Sequence, residues 1–501
     1  MARIRSQQFL DKVVSADEAA ALIKHGDRIG FSGFTGSGYP KAVPSALARR
    51  VELEQTQGRP FQVGVYTGAS TAPECDGVLA AVGGMGFRMP YQSDPDTRQA
   101  INAGVTGYCD IHLSHSGPLV RQGFLGRLDF ALVEVTAITA DGELVPTTSI
   151  GNNNVWLDVA DRVILEVNEW MSEGLEGMHD VYYGIELPPH NVPIPLTHPG
   201  GRIGQGTLRV DPDKVVAVVL TNAADRNSPF KELDAESKTI AGHYVDFLMN
   251  EVKQGRLPQS LLPLQSGVGN IANAVLSGLL DSELGHLTSY TEVIQDGMVD
   301  LIDAGKVDVA SATAFSLSPQ VAQRLNAEAE RYRRHIVLRP QEISNHPEVI
   351  RRLGVLACNG MIEADIYGNI NSTHIMGSRM QNGIGGSGDF TRNAYISAFV
   401  SPSTAKGGAI SCIVPMVSHH DHTEHDVMVL VTEQGVADLR GLPPRQRAQA
   451  VIKVAHPDYR PLLREYVERA AQEANSAHTP HALKAALSWH IRMLETGTML
   501  P

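Results

Sequence analysis

The sequence predicts an α/β protein made of two tandem, similar open α/β halves, residues 1–225 and 226–501, with a helical C-terminal tail. Three observations predict it. Apolar runs of strand length, such as Val215–Leu220, alternate with amphipathic helical patterns, the order that produces a mainly parallel sheet. The succession of strand, glycine turn and helix occurs early in the chain and begins again after residue 260. From Pro443 to Leu494 the pattern is helical, broken at His456-Pro457 and Thr479-Pro480, and is expected to wrap back over the sheets.

Taken in order, Ser15-Ala16-Asp17-Glu18 has capping-box spacing ahead of Ala19–Ile23, and Gly26 can supply a left-handed stop. The strand Arg28–Phe31 then enters the glycine-rich turn 32–38, followed by a helix with Val43, Leu47 and Val51 on one face. Further strands are expected at Phe61–Tyr66, ending at Thr67-Gly68, and at Phe130–Val135, Val163–Val167 and Val215–Leu220. A polar connection, Thr221–Pro229, separates the halves. The second half restarts with Leu261–Gln265, the turn Ser266-Gly267-Val268-Gly269, a helix facing inward through Ile271, Ala274, Val275 and Leu279, and a strand near Leu287–Tyr290.

Of 501 residues, 43% are apolar and 19% charged, the balance of a folded globular chain. Acidic residues outnumber basic ones, 55 against 42, which argues against a role in neutralising nucleic-acid phosphates. No apolar run approaches the roughly 20 residues that span a bilayer, so no membrane partner is expected. The N-terminus lacks the apolar core of a secretory signal, and a cytoplasmic protein is expected. Cys75, Cys109, Cys358 and Cys412 have no CxxC spacing and read as buried apolar residues rather than a disulfide or zinc framework.

Three segments offer chemistry. Gly383-Ile384-Gly385-Gly386-Ser387-Gly388 satisfies G-x-G-x-x-G, but polar Ser378–Asn382 precedes it and Asp389-Phe390-Thr391-Arg392 follows it, a poor context for a nicotinamide site. A loop whose bare backbone approaches a ligand is preferred to a plain loop, and both to NAD. The tract 419–426, His-His-Asp-His-Thr-Glu-His-Asp, lies between the apolar runs Ala409–Val417 and Val427–Val431 and is a connecting loop before it is a metal site; no metal is assigned. Glu292 follows one strand and precedes a helical run with Met298, Leu301 and Ile302. Alone it would read as a solvated carboxylate, and Asp296 as a helix cap. The turn Gly267-Val268-Gly269, whose N–H groups can receive an anion, makes a carboxylate nucleophile facing such donors a coherent acyl-transfer site.

These residues carry a resemblance. Ser32-Gly33-Phe34-Thr35-Gly36, Leu264–Asn270, Tyr290–Gly297, Asn359–Ala364, Gly385–Phe390 and Thr432–Gly441 resemble the acetyl-CoA hydrolase/transferase family of class I CoA-transferases over nearly the whole chain. The likeness is nearest the bacterial branch that moves CoA from succinyl-CoA to acetate. It implies two domains of class I CoA-transferase type, with the nucleophile on the second.

The resemblance also implies a mechanism. Glu292 would attack the acyl-CoA carbonyl, giving an acyl-glutamyl anhydride and CoA thiolate, and the thiolate would then form a glutamyl-CoA thioester. Thioester is exchanged for thioester, so neither ATP nor a metal is called for, and CoA is a substrate and covalent intermediate rather than a resident cofactor. Val268 and Gly386 map onto the family's oxyanion N–H donors. Gly267, Val268, Gly269, Asn270, Ile271, Ile362, Gly386 and Lys406 map onto its CoA-binding positions. Asn345 maps beside the nucleophile as an orienting amide; Glu433 lies in a signature without an assigned role.

The expected partners are acyl-CoA, small carboxylates and a second copy of the chain in a homodimer. Arg226 is a cation to test for the distal carboxylate of succinate. The rivals are an acetyl-CoA hydrolase on the same scaffold, a non-catalytic acyl-CoA sensor and, last, an NAD oxidoreductase.

Overall fold

The computed structural model describes residues 3–70, 72–226, 233–267 and 269–501. By contacts the chain gathers into two compact units, Met1–Pro229 with Thr288–Leu353, and Phe230–Leu287 with Gly354–Pro501. Glu292, in the second half by sequence, thus belongs to the first unit.

The first unit is built on a seven-stranded sheet in the order Gly107–Tyr108, Met85–Met89, Val63–Ser70, Arg28–Thr35, Phe130–Val135, Arg162–Asn168, Val215–Thr221. Every adjacent pair is parallel. The Phe130–Val135 strand is buried at every position, as a parallel sheet covered on both faces requires. The capping box forms: Ser15 and Glu18 exchange bonds at the start of the helix Ala16–Ala21, which is shifted toward the N-terminus of its expected place. The helix Val43–Thr56 buries Val43, Leu47 and Val51 as expected. The second strand does not stop at Thr67-Gly68. A register shift between Phe31 and Phe34 lets the first strand continue, and Ala69 and Ser70 pair with Phe34 and Thr35.

In the same unit, Val307–Ala312 pairs in parallel with Ile336–Leu338, and Val293–Gln295 with Ala314–Ser316. Three glycines allow a close backbone approach at the end of the first strand. A Cβ on Gly68 would stand 2.9 Å from the Gly33 carbonyl oxygen and 2.8 Å from Gln341 Oε1, and one on Gly151, at φ +51°, would stand 2.8 Å from that same carbonyl.

The second unit orders Leu264–Ser266, Leu356–Gly360, Ile396–Val400, Val429–Thr432 and Gly435–Asp438 in one sheet. The first three pairings are parallel and the last is an antiparallel hairpin. Its first strand starts three residues later than expected. The run 409–417 holds two short strands, Ile410–Ser411 and Ile413–Val414, rather than one. The tail forms helices Pro444–Val454, Arg460–Glu473 and Ser488–Thr496, interrupted near the two proline sites. Val451, Leu463, Tyr466 and Trp489 pack from these helices into one core with Phe399 and Leu430. Among the described residues no helix is long and apolar enough to cross a membrane. All four cysteines are free; Cys109 is half-buried rather than buried, because its two-residue neighbour strand Gly107–Tyr108 is the sheet edge.

A buried ionic cluster fixes the glycine-rich turn. Lys41 Nζ bonds Glu134 Oε2 at 2.6 Å and Asp225 Oδ1 at 3.0 Å, and lies 4.2 Å from the centre of the Tyr39 ring. Asp225 also accepts the Gly38 N–H at 3.0 Å. Glu166 receives the backbone N–H groups of Lys41, at 2.8 Å, and Val43, at 2.7 Å, at the start of the Val43–Thr56 helix. The favourable charges outweigh burial and hold the Lys41 ammonium above its ordinary pKa. Replacing Lys41 with Met leaves two carboxylates without their cation, so the variant should lose about 3–5 kcal/mol of stability in urea unfolding; a loss below 1 kcal/mol would contradict the cluster's role.

Candidate active site

In the first unit Glu292 is the second of the two residues that connect the strands Leu287–Tyr290 and Val293–Gln295. Its backbone is fixed on the neighbouring strand connection. The Glu292 carbonyl accepts the N–H groups of Thr313 at 2.9 Å and Ala314 at 3.2 Å, and Thr291 N–H reaches Ser311 at 2.9 Å. The side chain is half-buried, and its Oε1 accepts a 2.6 Å hydrogen bond from Asn345 Nδ2.

Asn345 is fully buried, and because an ionised carboxylate can only accept, its NH₂ end is the one that faces Glu292. Its Oδ1 then lies 2.8 Å from Ser344 Oγ, which can donate to it. The short helix Gln341–Ser344 that carries it is docked by Gln341, whose N–H bonds Gly151 O at 2.8 Å and whose Nε2 bonds Leu113 O at 2.9 Å and Ser116 Oγ at 3.0 Å. Sequence reasoning missed Ser344 and Gln341; their adjacency to Asn345 was the only available signal. Beside the carboxylate, Phe34, Ala69, Leu113, Val293 and Ala314 form an apolar cluster with Tyr91 packed on it. Burial foremost, with the Glu292 and Asp110 carboxylates adding to it, raises the pKa of the Tyr91 phenol above its ordinary value.

Two expectations around this site are corrected. Asp296 does not cap the following helix. Gln295 occupies the cap position, and Asp296, the first helical residue of Asp296–Asp303, turns its carboxylate to the Ser318 N–H at 2.9 Å. Arg226 is not a free cation: its guanidinium pairs with Glu74, and its backbone N–H bonds Gly36 O at 3.2 Å.

In the second unit each of the two glycine segments leads into a helix, and the first of them follows a strand of the parallel sheet. Gly267 follows the strand Leu264–Ser266, and its N–H bonds Cys358 O at 2.9 Å. Val268 lies outside the described residues. Gly269, at φ +122°, caps the helix Asn270–Asp281, whose first two residues are Asn270 and Ile271, both half-buried. Ile271 is thus less deeply set than its place on the apolar face led one to expect.

Gly386, buried, is the N-cap of the helix Ser387–Asn393. The G-x-G-x-x-G segment therefore does open a helix, contrary to the expectation. The strand ahead of it, Arg379–Met380, belongs instead to a two-stranded antiparallel ribbon, so the segment is in no βαβ unit. Gln265 and Asn359 tie the two glycine segments together: Gln265 Nε2 bonds Asn359 Oδ1 at 3.1 Å, Gln265 Oε1 accepts Cys358 N–H at 3.0 Å, and Asn359 Nδ2 reaches Thr391 Oγ1 on the Ser387–Asn393 helix at 3.3 Å.

Ile362, half-buried, is held by its N–H to Asn371 O at 2.9 Å. Lys406 is exposed at the turn of the hairpin Thr404–Ala405 and Ile410–Ser411, at φ +49°. The hairpin's entrance is anchored by Glu433, which accepts the Ser403 N–H at 2.8 Å and the Ser403 hydroxyl. That gives Glu433 a supporting place beside Lys406. Among the described residues no three His, Cys, Asp or Glu side chains are grouped to hold a metal ion.

The chain belongs to the acetyl-CoA hydrolase/transferase family of enzymes: the family's N-terminal domain matches residues 1–220 and its C-terminal domain residues 322–467. It is 49% identical to the succinyl-CoA:acetate CoA-transferase of Clostridium kluyveri over 99% of this chain and 92% of that one. It is 45% identical to an acetyl-CoA hydrolase of Candida glabrata, over 99% and 97%. In fold it is similar to the crystal structure of RipA from Yersinia pestis, with TM-score 0.73 at 24% identity, over 94% of this chain and 99% of that one.

A second buried carboxylate secures Ile362 from behind. Glu363 accepts bonds from His490 Nε2 at 2.7 Å, Ser418 N–H at 2.8 Å, Ser418 Oγ at 2.7 Å and Asn371 Nδ2 at 3.0 Å. Burial pushes its pKa up, but these partners outweigh burial and hold it below the ordinary value of 4.5. A lowered carboxyl pKa contributes stability above the unfolded value that is lost as pH falls through the folded one. Glu363→Gln should therefore lower the Tm at neutral pH, with the gap to wild type closing as pH drops below about 4.5. A gap independent of pH in thermal scans would contradict this.

Proposed function

We propose that the protein transfers CoA between an acyl-CoA and a small carboxylate, succinyl-CoA and acetate giving acetyl-CoA and succinate, with Glu292 as the nucleophile. The observation that carries the reading is the 2.6 Å bond from buried Asn345 to Glu292 Oε1, which fixes the direction of a half-buried carboxylate at the end of a strand. A glutamate carboxylate is ionised at neutral pH and needs no general base.

Attack on the thioester carbonyl breaks the C–S bond, leaving an acyl-glutamyl anhydride and CoA thiolate. The thiolate attacks the glutamyl carbonyl, expels the first carboxylate and forms a glutamyl-CoA thioester. The second carboxylate reverses both steps. Each tetrahedral intermediate carries an oxyanion, and the N–H groups of Val268 and Gly386 are assigned to receive them. Removal of one such donor costs roughly 3–4 kcal/mol. CoA is assigned to Gly267–Ile271, Ile362, Gly386 and Lys406, the last as a cation for phosphate.

Enzyme incubated with acyl-CoA alone should gain the mass of CoA less water on the peptide containing Glu292, and borohydride should reduce that adduct. Glu292→Ala should abolish exchange while folding normally. Wild-type exchange in this variant would overturn the assignment.

The Candida glabrata relative favours a second reading, in which water resolves the acyl-enzyme. Kinetics separates the two. For a transferase one product leaves before the second substrate enters, so initial-rate plots at several carboxylate concentrations should be parallel. Thiolate held beside the glutamyl carbonyl outcompetes water, since bound reactants reach effective concentrations of about 10⁵ M or more. Exchange should then exceed hydrolysis by at least roughly a hundredfold, a small part of that advantage. Comparable rates of both would assign the protein as a hydrolase.

A further inference from the structure

The tract 419–426 carries four histidines that the proposed chemistry does not use. The structure disperses its side chains. His419 stacks on His374 with ring centres 3.9 Å apart, and Asp421 accepts the Ser372 N–H at 2.7 Å. Of the four histidines only His422 is buried, 4% exposed, with its ring centre 5.0 Å from that of Phe399 on the strand Ile396–Val400. Its backbone is paired with Ile370 in both directions, at 2.8 and 3.1 Å, so the imidazole projects from a fixed position.

His422 Nε2 lies 3.0 Å from Ser387 Oγ, and the same hydroxyl lies 2.9 Å from the Ile384 carbonyl oxygen. A hydroxyl has one proton and a carbonyl can only accept. Ser387 therefore donates to Ile384, and its lone pair receives the proton on His422 Nε2. The two bonds in series close the turn Ile384-Gly385-Gly386-Ser387 and tie it to the sheet through the imidazole. The turn contains two adjacent glycines, residues with the widest backbone freedom, so it needs an external constraint to hold one conformation.

We propose that His422 is a positioning residue for the Gly386 N–H, acting through the Ser387 hydroxyl; this rests on the reading of Gly386 as an oxyanion donor. A displacement of about 1 Å in such a donor is enough to cost on the order of 10²-fold in rate.

The test compares full-length wild type with His422→Phe, which keeps the ring packing on Phe399 and deletes the donor, and with His422→Gln, whose amide N–H can still reach Ser387. In succinyl-CoA and acetate exchange, His422→Phe should lower kcat about 10- to 100-fold with KM for acyl-CoA within about threefold. His422→Gln should recover to within about fivefold of wild type. Ser387→Ala should match His422→Phe, and the double variant should be no slower than either, because both remove one linkage.

Equal losses in the Gln and Phe variants, multiplicative losses in the double variant, or a loss that follows the unfolded fraction in circular dichroism would overturn the proposal. Failure of the underlying reading is separately visible. An unchanged kcat in Gly386→Pro, which has no backbone N–H to donate, would remove the oxyanion role itself, whatever the histidine variants do.

Discussion

A glutamate side chain turns about three bonds, and a carboxylate free to do so spends little of its time aimed at anything. Here a hydrogen bond from a fully buried amide restricts that freedom in Glu292. Restricting a long side chain costs up to about 2 kcal/mol, a cost met on folding rather than during turnover. The bond in turn depends on a short series of contacts. Ser344 lies against the amide oxygen of Asn345, Gln341 docks the helix turn that carries both, and Gln341 packs where a Cβ on Gly68 would collide with it, while a Cβ on Gly68 or Gly151 would collide with the Gly33 carbonyl. The apparent looseness of a glycine-rich sequence thus ends as rigidity at a carboxylate.

The second unit solves a similar problem with amides. Gln265 and Asn359 use both ends of their side chains to bond each other, a strand and the helix behind Gly386. A buried amide that satisfies donor and acceptor at once specifies one arrangement of the elements it joins, because any slip leaves a polar group unpaired. Glu433 and Glu363 act likewise, one at the root of the Lys406 hairpin and the other behind Ile362.

Much of this fold could be read from the chain. The strand Phe130–Val135 and the buried stripe Val43, Leu47, Val51 arise from local periodicity, and local periodicity is what a sequence displays. What escaped depends on partners distant in sequence. The second strand runs to Ser70 because a register shift in its neighbour carries the pairing onward. Asp296 looks like a cap, yet finds the Ser318 N–H 22 positions away. Arg226 looks like an available cation, yet is taken by Glu74, and the histidine tract looks like one cluster, yet faces several ways. Glu292 was legible as a motif; Ser344 and Gln341, which hold its holder, have no motif of their own.

The chain passes between its two compact units three times, after residues 229, 287 and 353. On the ribosome this has a direct consequence. The first 229 residues emerge with their seven-stranded sheet complete, but the segment bearing Glu292 and Asn345 is made only after part of the second unit has been synthesised. The nascent protein must leave a surface of its first unit uncovered for some 60 residues of further translation, several seconds at common elongation rates. No single scission yields two fragments that each contain a whole unit: a break that spares one unit always divides the other, so the two cannot be parted by one interruption of the gene.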